Sequence, residues 1–426
     1  MIRAVGKYIF LLASILIVFF NCTPQSKSAL SLRSSWVVLT PPYTTGRAGE
    51  TISICLHLRN TKGKLYKPQK IEIFSSSGSS RGKFSQKGNA ICQLLEIKEP
   101  KEISLAIFVD SQLLNRVPKL RLLDPHSPDK HSESPFAFEL AKKFTPIVIQ
   151  KTGALPESDR PIPFNFDRNF DSLDNWEHAT SYRGPSAVYF SVITTETHAF
   201  IYYIFYYPRH YSIPERVGFT WENDWSGIML ICERRGTDYL PIALETATYQ
   251  GFNQYAISSA VSPNIEDIEG NAALWHGRPL LEVSAYEHAP RPMLPAELQD
   301  IETLSNYQGF VLIPEGFSQS FLPAFLQTFC IPYQLRSFFE EIWKHKEVIG
   351  AGSFEFVKGW DLPAFVAGDN VTPNRSQPPW AWDDPDDGSV KAGMWFLDPA
   401  RTVEEHLDVG GEISLWYTYN PYLGLD

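Results

Sequence analysis

The sequence lacks an excess of basic residues and has no long apolar segment at its N-terminus. It carries 38 lysines and arginines against 48 aspartates and glutamates, which gives a formal net charge of -10 at pH 7. Nucleic-acid-binding domains carry a basic surface, so we expect no nucleic-acid partner. A membrane-spanning helix needs about 20 apolar residues. The uncharged run Tyr8–Phe20 is shorter than that, which argues against a permanent membrane helix here.

The N-terminus has the residue order of an export signal. Arg3 and Lys7 precede the apolar run, and no acidic residue lies among them. This order is typical of a secretory signal peptide. The run then passes through Asn21 to Cys22 without the small residues of an ordinary cleavage site. We therefore predict export, with residues 1–21 as the signal peptide.

Cys22 lies at the position where a lipoprotein signal ends. The stretch "IVFFNCTPQ" resembles a bacterial lipoprotein signal of the looser spirochaete type, in which the cysteine carries the lipid and begins the mature chain. The resemblance implies a palmitate-bearing protein anchored to a membrane of the cell envelope, at the outer membrane or its periplasmic face. A secreted protein with an unmodified cysteine is the alternative. Residues 22–35 are small and polar and predict a flexible tether.

The rest of the chain is rich in short runs of β-branched and aromatic residues between turn-forming residues, which predicts a mainly β protein. Runs such as "ETISICLHL" in residues 36–123 resemble a bacterial immunoglobulin-like β-sandwich. A proline-rich linker at 124–135 leads to a larger β-sandwich-like domain with a few helices, 136–426. The clearest helix is predicted at 333–348, where apolar residues recur at spacings of three and four.

Cysteine is scarce, with 5 residues in the chain. Besides Cys22 there are four cysteines, namely Cys55, Cys92, Cys232 and Cys330. An even number of cysteines in an exported chain is consistent with disulfides. The domain division favours the pairs Cys55–Cys92 and Cys232–Cys330, although four cysteines allow three connectivities.

A proline-framed aromatic and acidic stretch lies near the C-terminus. Trp380 and Trp382 stand beside Asp383 and Asp384 in "PPWAWDDPDDGSV". Rigid aromatic rings next to carboxylates suit a groove for a glycan or a protein ligand. The spacing of the carboxylates excludes an EF-hand loop. The same carboxylates would still suit an irregular calcium site, because calcium binds oxygen ligands. A solvated acidic turn and a loop pinned to the core are the alternatives.

The middle of the chain holds the most promising candidate for chemistry. An aromatic strand, "HAFIYYIFYYPRH", is followed by a loop and by "WENDW", which enters a second apolar strand. This layout resembles the necrosis-inducing-protein superfamily and the related Vps62-like β-sandwiches, whose tyrosine-rich strand precedes a metal-binding H-x-H-D-W-E stretch. The resemblance implies a β-sandwich, a bound metal ion and a toxin-like activity. Of the family's metal-binding residues, Asp224 alone is matched here.

Other residues could complete a metal site around Asp224. Glu222 lies two residues before it, and His198, His210 and His288 could converge on it in space. Carboxylates and imidazoles are ligands for calcium and zinc, respectively, so either ion is a candidate cofactor. A carboxylate that only accepts backbone hydrogen bonds at the strand end is the alternative.

Two functional hypotheses follow. The first is a lipid-anchored envelope lipoprotein with a binding or structural role and an unknown ligand. The alternative is a metal-dependent hydrolase or toxin-like protein with a site around Glu222 and Asp224. The alternative requires His198 or His288 within ligand distance of Asp224, whereas the first does not.

Overall fold

The computed structural model describes the backbone of the strands between residues 36 and 123 and most of residues 132–425. In the second range the parts not described are 212–219, 249–250, 259–260, 262–267, 299, 301–307, 352–355, 358–361, 371–375, 383–393, 408–412 and 416. Contacts within the chain divide it into two units, Met1–Leu122 and Leu123–Asp426. Cys22 and the tether lie outside the described residues.

The N-terminal unit consists of short strands. They are β1 (Trp36–Thr40), β2 (Tyr43–Thr45), β3 (Thr51–Arg59), β4 (Ile71–Ser75), β5 (Ser85–Lys87), β6 (Ala90–Glu96), β7 (Glu102–Ile103), β8 (Leu105–Val109), β9 (Gln112–Leu113) and β10 (Leu120–Leu123). They form small sheets in the orders β1-β3-β6-β5, β2-β10-β7 and β4-β8-β9. The immunoglobulin-like arrangement stays a prediction. Cys55 lies opposite Cys92 in the register of β3 and β6, and their disulfide likewise stays a prediction.

The C-terminal unit is built on one large, curled, mixed sheet. Its strands, with a separate β23–β24 pair, are β11 (Ile147–Lys151), β12 (Ser186–Thr195), β13 (His198–His210), β14 (Trp221–Arg235), β15 (Asp238–Thr248), β16 (Gly251–Ala256), β17 (Ile268–Asn271), β18 (Leu274–Trp275), β19 (Arg278–Val283), β20 (Pro290–Pro292), β21 (Gly309–Pro314), β22 (Cys330–Ser337), β23 (Phe356–Val357), β24 (Leu362–Pro363) and β25 (Tyr417–Tyr419). The 13-stranded sheet runs β17-β16-β15-β14-β13-β12-β22-β21-β11-β19-β18, with β20 on β19 and β25 on β12. The mainly β prediction is confirmed.

The central strands are buried on both faces. Nearly every residue of β12 and β13, and of the first part of β14, is buried. Tyr203 and Leu230 face an aliphatic and aromatic core on one side. Tyr206 and Trp225 face the other side, where their ring centroids lie 4.8 Å apart. Continuous apolar runs in these strands, rather than strict alternation, are what burial on two faces requires.

Short helices cover the sheet. They are α1 (Pro135–Lys143), α2 (Asn175–His178), α3 (Ala324–Gln327), α4 (Phe338–Glu341), α5 (Lys346–Ile349), α6 (Met394–Leu397) and α7 (Pro399–His406). Helix α1 buries Ala137, Leu140 and Ala141 in the core that contains Tyr203. Among the described residues, no helix is both long and apolar enough to cross a membrane.

The helix predicted at 333–348 is wrong in its first part. Residues up to Ser337 belong to β22, which pairs in parallel with β12 and β21. Hydrogen bonding to two neighbouring strands outweighs a local helical pattern. The helical part begins at α4, where the Ser337 hydroxyl accepts a hydrogen bond from the Glu340 amide, as an N-cap residue does.

The groove predicted at Trp380 and Trp382 is not formed by these rings, because both are fully buried. The Trp380 indole N–H donates to the Pro363 carbonyl at 2.8 Å, and that of Trp382 donates to the Gln377 carbonyl at 3.0 Å. Buried indoles with satisfied N–H groups are core elements. Asp383 and Asp384, and with them the predicted calcium loop, lie outside the described residues.

The predicted Cys232–Cys330 disulfide is also not formed, because both residues are free thiols. Cys232 lies on β14 in the core with Tyr203. Cys330 begins β22 and packs against a separate cluster that contains Ile147 and Leu326. The two cysteines therefore belong to different parts of the sheet.

A shielded carboxyl group precedes α1. Both Glu133 carboxylate oxygens are shielded from solvent. The Glu133 backbone amide donates to Glu340 at 2.8 Å, which brings a second carboxylate close. Burial raises the pKa of Glu133 from 4.5 to about 8, and the Glu340 charge adds to the rise against the effects of Ser337 and Lys344. The folded domain therefore holds the Glu133 proton more tightly than the unfolded chain does.

We expect Glu133 to make the domain less stable as pH rises. Its contribution to the free energy of unfolding is fully present below pH 4.5 and is lost as pH rises toward about 8. The slope is at most about 1.4 kcal/mol per pH unit. Glu133→Gln should remove this dependence in chemical denaturation between those pH values. Glu139→Gln, at an exposed position of the following helix α1, should retain it. Identical slopes for both variants would contradict the assignment.

Candidate metal centre

Two adjacent strands and one turn bring the candidate ligands together. β13 ends at His210 and β14 begins at Trp221, and these two residues lie opposite each other in the antiparallel register. Three residues further in, Tyr207 lies opposite Asp224. His288 comes from the turn between β19 and β20, where β19 is an immediate neighbour of β11 in the same sheet. Three segments distant in sequence thus meet at one place.

Asp224 is the centre of the resulting cluster. Its Oδ2 atom lies 3.2 Å from His210 Nδ1 and 2.7 Å from His288 Nδ1. One ligand atom from each of the three residues lies within 4.8 Å of the others, and all three side chains are buried. The other carboxylate oxygen, Oδ1, accepts a hydrogen bond of 3.1 Å from the Trp221 indole. Oδ2 of Asp224 therefore faces both imidazoles, whereas Oδ1 faces the Trp221 indole.

A second carboxylate orients His288 from its far side. Asp159 Oδ1 lies 3.2 Å from His288 Nε2 and accepts the Tyr286 backbone amide at 2.8 Å. Its Oδ2 accepts the Gly153 amide at 2.7 Å, and the residue is buried. Tyr286 and His288 have φ angles of 66° and 51°, so a left-handed turn places both groups against Asp159. Because the Nε2–H group of His288 donates to Asp159, Nδ1 is the nitrogen that faces Asp224.

Aromatic rings fix the planes of both imidazoles. His210 stacks on Trp221 with centroids 3.6 Å apart and planes inclined by 7°. His288 stacks on Tyr207 with centroids 3.7 Å apart and planes inclined by 6°. The Tyr207 hydroxyl in turn donates to Gln150 at 3.0 Å. The two imidazoles are held in position by packing as well as by hydrogen bonds.

The charges in the cluster are strongly coupled. Burial alone would raise the pKa of Asp224, but His210 and His288 outweigh it and lower that pKa to about 2. Burial alone would lower the pKa of His288, but hydrogen bonds to Asp159 and Asp224 outweigh it and raise that pKa. A cationic group facing the two carboxylates is therefore favoured here, and a divalent ion could take that place.

Glu222 was predicted as a ligand but binds backbone instead. It is fully buried, and its carboxylate accepts hydrogen bonds from the amides of Asp369, at 3.1 Å, and Asn370. The cluster of ligand atoms around Asp224 does not include it. Its role in the described structure is to hold the loop that contains residues 369 and 370.

His198 was also predicted as a ligand and lies elsewhere. It begins β13 opposite Glu233, whereas Asp224 lies opposite Tyr207 near the other end. At about 3.3 Å per residue, these positions are roughly 30 Å apart along the strand. Burial lowers the pKa of His198 to about 4. Of the predicted ligands, the structure brings together Asp224, His210 and His288, and it leaves out His198 and Glu222.

A second cluster lies at the surface around α2. His178 Nδ1 is 3.0 Å from Asp167 and 3.7 Å from Asp174, and the His178 side chain is half exposed. A hydrogen bond to Asp167 raises the pKa of His178. Asn169 donates to both carboxylates, at 2.9 Å and 3.3 Å. Within the described structure, these bonds organise the loop before α2.

An open cleft lies beside the metal cluster. It has a volume of about 710 Å³. It lies where β11 and β19 end and β21 begins. Its lining residues are uncharged, and they are Thr152, Gly153, Ala154, Pro156, Tyr286 and Gln308. The Tyr286 hydroxyl accepts the Ala154 amide at 3.0 Å, so its ring is held in the cleft wall. Gly153 and Tyr286 are the residues whose amides bind Asp159.

Sequence reasoning did not identify Asp159. Its partner His288 is 129 positions away, and "PESDRP" carries no pattern that distinguishes Asp159 from other surface acids. The Tyr286–His288 turn was likewise not singled out. The signal available was the histidine itself, which was predicted as a ligand.

Comparison with known proteins gives structural neighbours but no family. No protein-family profile and no curated protein sequence matches the chain. The non-toxic HaNLP3 protein is 12% identical to this chain, with a TM-score of 0.24. The match covers 38% of this chain and 72% of the HaNLP3 chain. Necrosis and Ethylene inducing Protein 2 from the causal agent of cocoa's Witches Broom disease is 15% identical to this chain, with a TM-score of 0.24. The match covers 51% of this chain and 80% of that protein's chain.

A third neighbour is NLPPya in complex with mannosamine, with 14% identity and a TM-score of 0.26, over 38% of this chain and 71% of its own. These three structural neighbours are proteins with the necrosis-and-ethylene-inducing toxin fold, at low identity and low TM-score. Similarity at this level does not indicate a function. The function is therefore inferred from the geometry of the site.

We expect Asn223→Ala to unfold the site locally and to cost about 3 kcal/mol of stability. Asn223 has φ 59°, and its Oδ1 accepts from Asn175 at 2.8 Å and Tyr206 at 2.7 Å. Its Nδ2 donates to the Ser172 and Ala367 carbonyls, both at 2.9 Å. Alanine loses all four bonds and is disfavoured at positive φ.

Chemical denaturation measures this loss. The matched control is Asn253→Ala, at an exposed position of β16, which should change the free energy of unfolding by less than about 0.5 kcal/mol. Similar losses in the two variants would show that the Asn223 network does not hold this part of the fold.

Proposed function

We propose that the larger domain binds a divalent ion of the zinc class through His210, Asp224 and His288. We further propose that this ion organises a ligand-binding surface on an exported, lipid-anchored protein. The proposal rests on the convergence of the His210 and His288 imidazoles with the Asp224 carboxylate. The Nε2 atom of His288 is held by a second carboxylate, that of Asp159. His288, one of the two histidines that the hydrolase or toxin-like alternative requires near Asp224, lies 2.7 Å from it.

The distances in the cluster fit a shared ion. Zinc binds histidine nitrogen and carboxylate oxygen at about 2.0 to 2.2 Å, so two ligands on one ion lie roughly 3 Å apart. The 3.2 Å and 2.7 Å separations around Asp224 Oδ2 are close to that value. An ion would replace the protons that now join Asp224 to the imidazoles. Asp159 would then complete a carboxylate–histidine–metal arrangement, which orients the ligand.

The donor set favours zinc over calcium. Calcium takes six to eight oxygen ligands, whereas imidazole nitrogen suits zinc and neighbouring transition metals. Here two of the three ligand atoms are imidazole nitrogens, from His210 and His288. Of the two ions predicted from the sequence, zinc fits these residues.

Burial favours binding over catalysis as the role of the ion. His210, Asp224 and His288 are at most 2% exposed, so a substrate does not reach them directly in this conformation. An ion here would tie the end of β13, the start of β14 and the 285–288 turn together, which steadies one wall of the cleft. Three protein ligands nevertheless leave a coordination position open, as in zinc hydrolases. A metal-dependent hydrolase or toxin-like protein is therefore the second candidate.

The ligand we propose for the cleft is a neutral, hydroxyl-rich molecule such as a sugar unit of a glycan. Thr152 and Gln308 offer hydrogen-bonding groups without charge, and Tyr286 offers an aromatic ring. Such a lining suits sugar hydroxyls and the apolar face of a sugar ring. This cleft replaces the groove that the sequence predicted at Trp380 and Trp382.

We propose that the anchor is the lipid on Cys22, which places the protein at a membrane of the cell envelope. The support is the order of charge, apolar run and cysteine at the N-terminus. The polar segment 22–35 would separate the lipid from the first domain.

Titration of chelator-treated protein tests the metal centre. We expect one equivalent of zinc to bind saturably, with weaker binding of manganese and calcium, and to raise the melting temperature. Asp224→Asn and His288→Ala should lose this binding, because each removes one of three ligands. The control His198→Ala, a buried histidine outside the cluster, should retain it. Absence of heat with every ion, in a protein whose melting temperature is unmoved by chelator, would refute the proposal.

Phase partition tests the anchor. We expect Cys22→Ala to block lipid attachment and to move the protein from the detergent phase to the aqueous phase. Each buried methylene of an acyl chain contributes about 0.8 kcal/mol to membrane association, which a polar tether cannot supply. The control is Cys330→Ala, whose thiol lies in the folded domain. Unchanged partitioning of Cys22→Ala would rule out the anchor.

A further inference from the structure

One carboxylate touches both the cleft and the candidate metal centre. Asp159 accepts hydrogen bonds from the Gly153 and Tyr286 amides, which belong to cleft-lining residues. The same carboxylate binds Nε2 of His288, whose Nδ1 faces Asp224. A displacement of the cleft wall therefore moves the group that sets the orientation of a metal ligand.

The cleft wall can transmit such a displacement because it is tightly packed at one point. The Tyr286 ring lies directly on Gly153, where an added Cβ atom would overlap with Tyr286 Cζ. The Tyr286 backbone is in a left-handed conformation and is followed two residues later by His288, which is also left-handed. A hydrogen bond of 3.1 Å from the Ser284 amide to the Ala289 carbonyl closes the turn, so we expect a movement of Tyr286 to shift His288.

We propose that Asp159 is the positioning residue of the metal centre and that it couples metal affinity to the state of the cleft wall. This inference rests on the proposed metal centre and adds to it a residue that is not a ligand. Asp159 holds the Nε2 proton of His288, so that Nδ1 is the nitrogen presented to the ion and its basicity is increased. Coupling between two sites is reciprocal, so an occupant that moves Tyr286 changes the affinity for the ion, and the ion changes the affinity for the occupant.

The test is zinc affinity by competition with a chromophoric chelator, in the full chain with its three ligands intact. We expect Asp159→Asn to weaken zinc binding about 10- to 100-fold, which is typical for loss of a carboxylate behind a metal-bound histidine. Gly153→Ala should also weaken it, although Gly153 touches no ligand, because the new methyl group displaces Tyr286. With cobalt in place of zinc, both variants should shift the visible absorption bands, since the geometry of His288 around the ion changes.

Matched controls separate this effect from general damage. Asp167→Asn removes a carboxylate that binds a histidine outside the centre. Gly270→Ala adds a methyl group where no atom lies within 4 Å. Both should bind zinc as the unchanged protein does and should give its cobalt spectrum. Melting curves in chelator identify any variant that fails to fold.

Two outcomes would overturn the inference, and they differ from each other. If the unchanged protein binds zinc and Asp159→Asn and Gly153→Ala bind it equally well, the coupling is absent while the metal centre stands. If the unchanged protein binds no zinc, the metal centre itself fails and the coupling fails with it.

Discussion

Burial of the central strands on both faces is the constraint on which the rest of the domain depends. A polar side chain in the buried part of β13 or β14 is shielded from bulk water and must find a partner inside the protein. Glu222, Asn223 and Asp224 are consecutive, and each is satisfied by a different part of the chain: a loop near residue 370, a polar network around Asn175, and two histidines. Three polar residues at one strand end thereby fix three separate segments.

The sequence predicted much of this architecture. The aromatic run that ends at His210 and the apolar run that follows Asp224 identified β13 and β14, because burial on both faces leaves a strong local signal. The helix at 333–348 was mispredicted, since pairing of β22 with β12 and β21 is not visible in a local pattern. Trp380 and Trp382 were misassigned for the same reason: a tryptophan in a polar stretch has a core partner that only the fold reveals.

The candidate site was half predictable. Asp224 stood out through its position at a strand entrance, and His210 and His288 were named because histidine is a metal ligand. Their convergence depends on the β13–β14 register and on a turn after β19, and Asp159 depends on a contact across 129 positions. Residue type is local information, whereas convergence is a property of topology. The three residues that converge were therefore among the candidates, together with His198 and Glu222, which the fold separates from them.

The pairing of β25 with β12 has a consequence for biosynthesis. Tyr419 lies opposite Thr194, and the Tyr422 hydroxyl reaches Ser191 at 2.7 Å. Strand β12 cannot complete its pairing until residues more than 200 positions later have emerged from the ribosome. Long-range pairing of this kind is slow and leaves apolar strands exposed in the meantime. A partly synthesised chain therefore exposes the apolar edge of β12 at Thr194 and Thr195 until β25 is available to pair with it.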